Sequence, residues 1–357
     1  MDEMKFGIEA EYALIRPDGR FADHLNTAFA ELQPMIDALP DYRHPELRVG
    51  DAGIRVKNWY VEGDERFDAE GRSTGMAVKG VEVRTPVFPT IEGALACLRE
   101  LRAALAAELR ARDWSLNAIG FNPLTASYAP DYGEWERAFH RSHFEHGFPE
   151  VSTLSYGPDL NFSRAGGTPD AVLETVRRLT WYSPFLVPFS FSSPFAEGAP
   201  WDGLSYRTWK RTGPRPAALA HLAGGGAHPL VKKADPPSHH LRIEFKAFDM
   251  VADDRLLGEL FRLVLGVALA PEEALPGRAD LPDAALHRRA ARLGFDDPEV
   301  LGEAQRIVGI AADALRDSGQ GAAFPLLEGM LATRRTPAHA MRDAFARTGA
   351  FFEPLAF

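Results

Sequence analysis

The sequence is short of cysteine, of long apolar runs and of basic charge. Cys97 is the single cysteine in 357 residues, which excludes an intramolecular disulfide; set among alanines and leucines, it reads as a buried inert thiol rather than a nucleophile. The best apolar run, Leu256 to Ala270, is broken by Glu259 and Arg262 and cannot span a bilayer. The first residues lack the basic-then-apolar layout of a signal peptide, so the expected location is cytoplasmic. Acidic residues outnumber basic ones by 50 to 40, a net charge of −10. That balance argues against nucleic acid or an anionic membrane as partner and suits a protein that collects cations. With no composition break, long polar linker or internal repeat, the expectation is one globular domain over 1–357, with core strands within 1–250 and a helical part over 251–357.

What is present is a recurring alternation. Phe6 to Ile15, read as a strand, puts Phe6, Ile8, Ala10, Tyr12 and Leu14 on one face and Glu9 and Glu11 on the other. Two carboxylates about 7 Å apart along a strand must be solvated, paired or bound to metal. Gly80 to Pro86 repeats the pattern with Glu82 and Arg84 on its polar side, Leu154 to Ser163 with Asp159 and Asn161, and Leu241 to Ala247 with Arg242, Glu244 and Lys246. Between these segments the spacing predicts helices over Ala22 to Leu39, Ile91 to Arg112 and Thr168 to about Tyr182, the last with Thr168 as N-cap and Pro169 in its first turn. Arg55 to Val61 reads as strand or hairpin turn, and 117–150 as loop. His140, His143 and His146 fall three apart in that loop and read as surface histidines rather than metal ligands. From Asp253 onward the pattern is helical.

Four cations fall within the nine residues from Arg207 to Arg215. They are either a solvated basic patch or an anion site, in which Arg207 and Arg211 share a face if the segment is helical. A triple glycine at 224–226 reads as a mobile loop, followed by Lys232 and Lys233. If the four alternating segments form one antiparallel sheet, its open face is a basin of carboxylates ringed by cations, with helices packed behind. Crowded carboxylates have raised pKa values unless divalent cations neutralise them, and oxygen-only ligation favours Mg²⁺ or Mn²⁺ over zinc. Cations at the rim suit a nucleotide whose phosphates bridge metal and arginine.

The segments G-I-E-A-E, G-V-E-V-R-T-P, S-S-P-F followed by S-Y-R, and R-I-E-F-K-A-F-D stand, over roughly residues 6 to 250, in an order and spacing that resemble the carboxylate–amine ligases of the glutamate–cysteine ligase type 2 group. The resemblance implies a glutamine-synthetase-like α+β fold, a curved antiparallel sheet carrying metals and ATP. It also implies a reaction: ATP phosphorylates a glutamate-like carboxylate, and an amine attacks the acyl phosphate to give an amide. By position, Glu9, Glu11, Glu82 and Glu244 resemble the metal-binding acids, and Arg84 and Arg207 the arginines that hold substrate carboxylate or phosphate. Arg211, Arg215, Lys233 and Lys246 join Arg207 as nucleotide candidates; Asp159, Asn161 and Arg242 join Arg84 as candidates for the acid substrate. Relatives often carry a histidine pair at the positions of Asp159 and Asn161 and an arginine at Lys246, which leaves a catalytically inactive ligand-binding relative as one alternative; a binuclear metal hydrolase using the same acids is the other. A free sheet edge or the C-terminal helices offer surfaces for a homo-oligomer.

Overall fold

The apolar side chains of the opening strand, Phe6, Ile8, Ala10, Tyr12 and Leu14, are all buried, while the intervening Glu9 and Glu11 are partly exposed. That division sets the architecture: a curled sheet with helices on one face and a cavity on the other. The computed structural model describes residues 4–40, 58–142, 149–211, 215–225, 228–234, 237–319 and 323–352. Strand β1 (Met4–Ile15) pairs on one side with β3 (Ser73–Arg84), which forms a hairpin with β2 (Trp59–Phe67). On its other side lies β5 (Pro158–Arg164), and β4 (Ser115–Asn117) pairs with the end of β1. A small ribbon, β6 (Phe195–Ala196) and β7 (Ala199–Pro200), stands apart. The order is completed by β8 (Ala218–Leu222), β9 (Val231–Lys233) and β10 (Arg242–Phe245), giving β2-β3-β1-β5-β10-β8-β9. The pairs are antiparallel, as expected, except β8 with β9, which run parallel. Register places Glu9 opposite Arg84 and Asp159, Glu11 opposite Glu82, and Glu244 opposite Asn161.

Helix α1 spans Phe29–Ala38 and α2 spans Ile91–Arg110; α3 (Glu134–Ser142) and α4 (Pro149–Leu154) follow. On α2 the stripe Leu95, Leu98, Leu101, Leu105 and Leu109 is buried, and Thr90 caps it by accepting from Gly93 N at 3.1 Å. Cys97, half-buried on the same helix, has its thiol pKa pushed up by burial, in keeping with an inert role. Helix α5 (Pro169–Leu186) is capped by Thr168 and runs one turn further than expected, through Pro184. A short helix α6 (Tyr206–Arg211) precedes the C-terminal helices α7 (Asp254–Leu269), α8 (Ala284–Leu293), α9 (Pro298–Asp317), α10 (Pro325–Thr333) and α11 (Pro337–Thr348). Sheet and helices are tied by the Phe6–Phe261 edge contact at 5.7 Å and by the two-pronged Arg102–Asp254 pair, both prongs 2.7 Å, joining α2 to α7. Among the described residues no helix is long and apolar enough to cross a membrane.

Two local expectations are corrected. The helix predicted from Ala22 begins at Phe29, because Asp23 holds a turn instead: its carboxylate accepts from Leu25 N at 3.0 Å and Thr125 Oγ1 at 3.1 Å. The stretch 117–150, expected as loop, contains α3. There Glu136 accepts from Gly133 N at 2.6 Å and Phe67 N at 2.9 Å and pairs with Arg66 at 2.8 Å, fastening the helix to the β2–β3 hairpin.

His287 is buried in the helical part with its Nε2 3.0 Å from Ser183 Oγ, and burial, aided by Arg211, lowers its pKa to about 3. The folded protein keeps this ring neutral, whereas the unfolded chain takes up a proton below about 6.5. Its contribution is therefore full above that pH and falls as pH drops toward 3, with a slope of at most about 1.4 kcal/mol per unit. Urea midpoints at pH 7 and 5 should fall further for wild type than for His287→Gln; equal falls would remove His287 as the cause.

Candidate active site

The polar face of the curled sheet encloses a cavity of about 660 Å³, a size suited to a small-molecule ligand. All thirteen residues singled out from the sequence line it: Glu9, Glu11, Glu82, Glu244, Arg84, Arg207, Arg211, Arg215, Lys233, Lys246, Asp159, Asn161 and Arg242. The described lining holds eight acids and ten lysines or arginines. On a protein of net charge −10, a lining with more basic than acidic side chains selects for an anion that brings or meets cations of its own.

The acids fall into two groups. Glu11, Glu62 and Glu82, from β1, β2 and β3, each offer an oxygen within 4.8 Å of the others, and so do Glu9, Asp159 and Glu244, from β1, β5 and β10. In the first group the buried Lys79 bridges Glu11 at 2.6 Å and Glu62 at 3.3 Å, Gly157 N donates to Glu11 at 2.7 Å, and Arg84 pairs with Glu82 at 2.7 Å while donating to Tyr60 Oη. In the second, Arg242 reaches Glu9 at 3.2 Å, Lys246 reaches Asp159 at 3.1 Å and Glu244 at 3.5 Å, and His221 Nε2 lies 2.8 Å from Glu244.

Burial pushes every one of these carboxyls upward, and the neighbours decide the outcome. For Glu62 burial and then the charge of Glu11 win, and its pKa stands well above the usual range. Burial likewise raises Asp159 well above it and Glu82 to about 7, against the pull of Lys246 and Arg84 respectively. For Glu9 the arginines at 84 and 242 overcome burial, for Glu11 Lys79 does, and Glu244 is held well below the ordinary value by Lys246 and His221. Each group thus joins at least one acid that favours ionisation with at least one that burial forces upward. All-oxygen donors from three strands, more carboxylate than the local cations balance comfortably, fit Mg²⁺ or Mn²⁺.

The basic side is held with equal care. On α6, Arg207 donates to the carbonyls of Ala247 at 2.8 Å and Lys246 at 3.1 Å, and Arg211 to that of Pro216 at 2.8 Å. Gly157 is required beside Arg207, since a Cβ there would lie 2.6 Å from its Nη2 and 2.4 Å from Phe248 O. Beneath them the buried Asp249 accepts from Ser193 Oγ at 2.6 Å, Ser205 Oγ at 2.9 Å and Ser192 N at 2.9 Å. The S-S-P-F turn, the S-Y-R segment and the last residue of R-I-E-F-K-A-F-D are therefore one hydrogen-bonded unit that orients α6 toward the cavity.

Sequence reading missed Glu62, Lys79, Tyr60 and His221. Tyr60 and Glu62 do alternate with Trp59 and Val61, but a bulge between Glu62 and Gly63 breaks the period, and a Cβ at Gly63 would fall 2.1 Å from Ala77 O. His221 sits in a nearly all-apolar strand and gains its role only because β8 pairs with β10, opposite Arg242. The surface reading of His140 is corrected: it is buried on α3, stacked on Tyr132 at 4.2 Å. His143, His146 and Gly226 lie outside the described residues, as does 41–57, which includes the first part of the expected strand or turn from Arg55.

No protein-family model matches the sequence, and no curated protein matches it. Three solved structures resemble the fold over nearly the whole chain. A bifunctional glutathione synthetase from Pasteurella multocida matches at 13% identity and TM-score 0.56, covering 97% of this chain and 50% of that one. The glutamate–cysteine ligase of Francisella tularensis, in complex with AMP, matches at 12% and 0.52, covering 98% and 86%. The ligase PafA, in complex with the prokaryotic ubiquitin-like protein Pup, matches at 12% and 0.50, covering 98% and 70%. The chain has the fold of these ligases. It spans only half the length of the Pasteurella protein; at such identities the likeness speaks for architecture, a curled sheet with helices behind it.

Lys79→Met should leave Glu11 and Glu62 without their buried cation and lower stability by about 3–5 kcal/mol. Thermal melts should show Mg²⁺ or Mn²⁺ recovering more of that loss in the variant than it adds to wild type. An equal cation response in the two proteins would count against a divalent ion at Glu11, Glu62 and Glu82.

Proposed function

We propose that this chain is an ATP-dependent carboxylate–amine ligase that uses Mg²⁺, with Mn²⁺ as the alternative ion, and forms an amide through an acyl phosphate. The observation that carries the reading is the juxtaposition of two three-carboxylate groups with arginines held in place by backbone carbonyls, in one cavity of basic balance. Glu11, Glu62 and Glu82 would hold one ion and Glu9, Asp159 and Glu244 a second. Bound ions supply charge neutralisation between phosphate oxygens and polarisation of the transferred phosphoryl group. Arg207, Arg211, Arg215 and Lys233 hold nucleotide phosphates, and Arg84 and Arg242 orient the carboxylate of a glutamate-like acid toward them. The acid's oxygen takes the terminal phosphoryl group as ADP leaves; the amine, once its ammonium proton has passed to solvent, attacks the acyl carbon and displaces phosphate.

The unusual residues support a working site rather than a decayed one. Lys246, where relatives often have arginine, pairs at 3.1 Å with Asp159, which stands where they often have histidine. Asn161 accepts from Arg242 at 2.9 Å. Two of the departures thus meet each other, and the third, Asn161, is taken up by Arg242.

A panel of acids and amines in an ADP-release assay tests this. ADP should form only when both partners are supplied, and Glu9→Gln or Glu11→Gln should lower the rate by about a hundredfold or more without loss of the cooperative melt. Full activity in both variants would refute their assignment. Turnover of amides or phosphoesters without nucleotide would point to a hydrolase, and failure to bind ATP with Mg²⁺ in calorimetry to a non-catalytic relative.

A further inference from the structure

The β2–β3 hairpin carries the cavity beyond both carboxylate groups, to a region that the reading above leaves unused. There Asp64, only 8% exposed, lines the cavity together with Phe67, Met76, Phe139 and His140. Its Oδ2 accepts the hydroxyls of Tyr128 at 2.6 Å and Tyr132 at 2.7 Å. Neither tyrosine belongs to the cavity lining, whereas His140 does, and its Nε2 stands 3.9 Å from Asp64 Oδ1. One carboxylate oxygen is thus gripped by two hydroxyls from residues outside the lining, and the other has, among the described residues, only His140 at 3.9 Å, too far for a hydrogen bond. The surrounding wall is made of packed rings: Phe67 packs on Trp135 at 4.8 Å, Trp135 stacks on Phe139 at 5.3 Å and 12°, and Tyr132 on His140.

A fixed, largely desolvated carboxylate oxygen beside aromatic side chains is the chemistry that recognises an organic ammonium, through a charge-assisted hydrogen bond and the negative ring faces. The cavity's charge points the same way. On the β2–β3 side Glu62, Asp64, Glu65 and Glu82 outnumber Lys79 and Arg84, whereas Arg207 to Arg215 and Lys232 to Lys246 bring seven cations against Glu244 and against Glu9 and Asp159, which Arg242 and Lys246 reach. A ligand carrying its own carboxylate meets like charge on the hairpin side, and a cation on an apolar body meets complementary charge and rings.

We propose that Asp64, backed by Tyr128 and Tyr132 and walled by Phe67, Met76 and Phe139, is the amine subsite, and that it takes a small primary amine with an apolar or aromatic body and no carboxylate. This rests on the ligase reading and names its amine class. Discrimination comes from the placement of one carboxylate: it favours an amine over the corresponding amino acid.

The matched probes are 2-phenylethylamine and phenylalanine, which differ by that carboxylate. With the protein holding Mg²⁺ and a non-hydrolysable ATP analogue, calorimetry should show 2-phenylethylamine binding at least about tenfold more tightly than phenylalanine. Asp64→Asn, nearly isosteric and still able to accept from both tyrosines, should weaken it by about tenfold or more while leaving the analogue's affinity and the melting curve unchanged. Phe139→Ala should weaken it as well. Equal binding of the two probes, no binding of either, or no effect of Asp64→Asn overturns the proposal. ADP release with the same pair separates it from the ligase reading. Release that favours phenylalanine or ignores Asp64→Asn leaves the ligase and removes the subsite. Asp64-dependent amine binding with no ADP from any acid and amine leaves the subsite and removes the ligase.

Discussion

Carboxylates that repel one another are held together on neighbouring strands, and this constraint orders the rest of the molecule. Glu9 and Glu11 share one face of β1, and register then sets Glu82 and Asp159 directly across from them. Such a face cannot be closed by apolar packing. It must face a cavity and carry cations, and Lys79, Arg84, Arg242 and Lys246 are placed among the acids for that purpose. The helices have to take the opposite face, where Phe6 meets Phe261 and where Tyr12 lies beside the Arg102–Asp254 pair.

Precision on the basic side comes from groups that do not line the cavity. Asp249 is fully buried and binds three serine groups, two from the adjacent Ser192 and Ser193 and one from Ser205, so α6 and its arginines are oriented by hydrogen bonds rather than by attraction to the acids they face. This is the device a charged cavity needs, because arginines free to move would collapse onto the nearest carboxylates and lose the geometry that an anion requires. Asp64 is treated alike on the other side, with two tyrosines holding one oxygen in place.

Much of this was legible in advance where a local pattern carried it. Alternation in Phe6 to Ile15 located β1 and its acids, Thr168-Pro169 located the start of α5, and the leucine stripe of α2 located its buried face. The reading failed where a local pattern was interrupted or overruled. The Gly63 bulge hid the strand that carries Glu62 and Asp64, Asp23 replaced a predicted helical turn, and an apolar strand gave no hint of what His221 would face.

The sequence by itself determined which side chains share a face, since strand and helix periods are properties of the backbone and need no partner. It therefore placed the acids, the arginines and the core on their proper sides. Only the tertiary structure decided which of those faces meet. Strand order brought Glu62 to Glu11 and Glu82, pairing of β8 with β10 brought His221 to Glu244, and the packing of α3 against the hairpin made a buried pocket of Asp64. These neighbours are twenty or more residues apart in the chain, and proximity of that kind comes from register and packing, which no local period encodes.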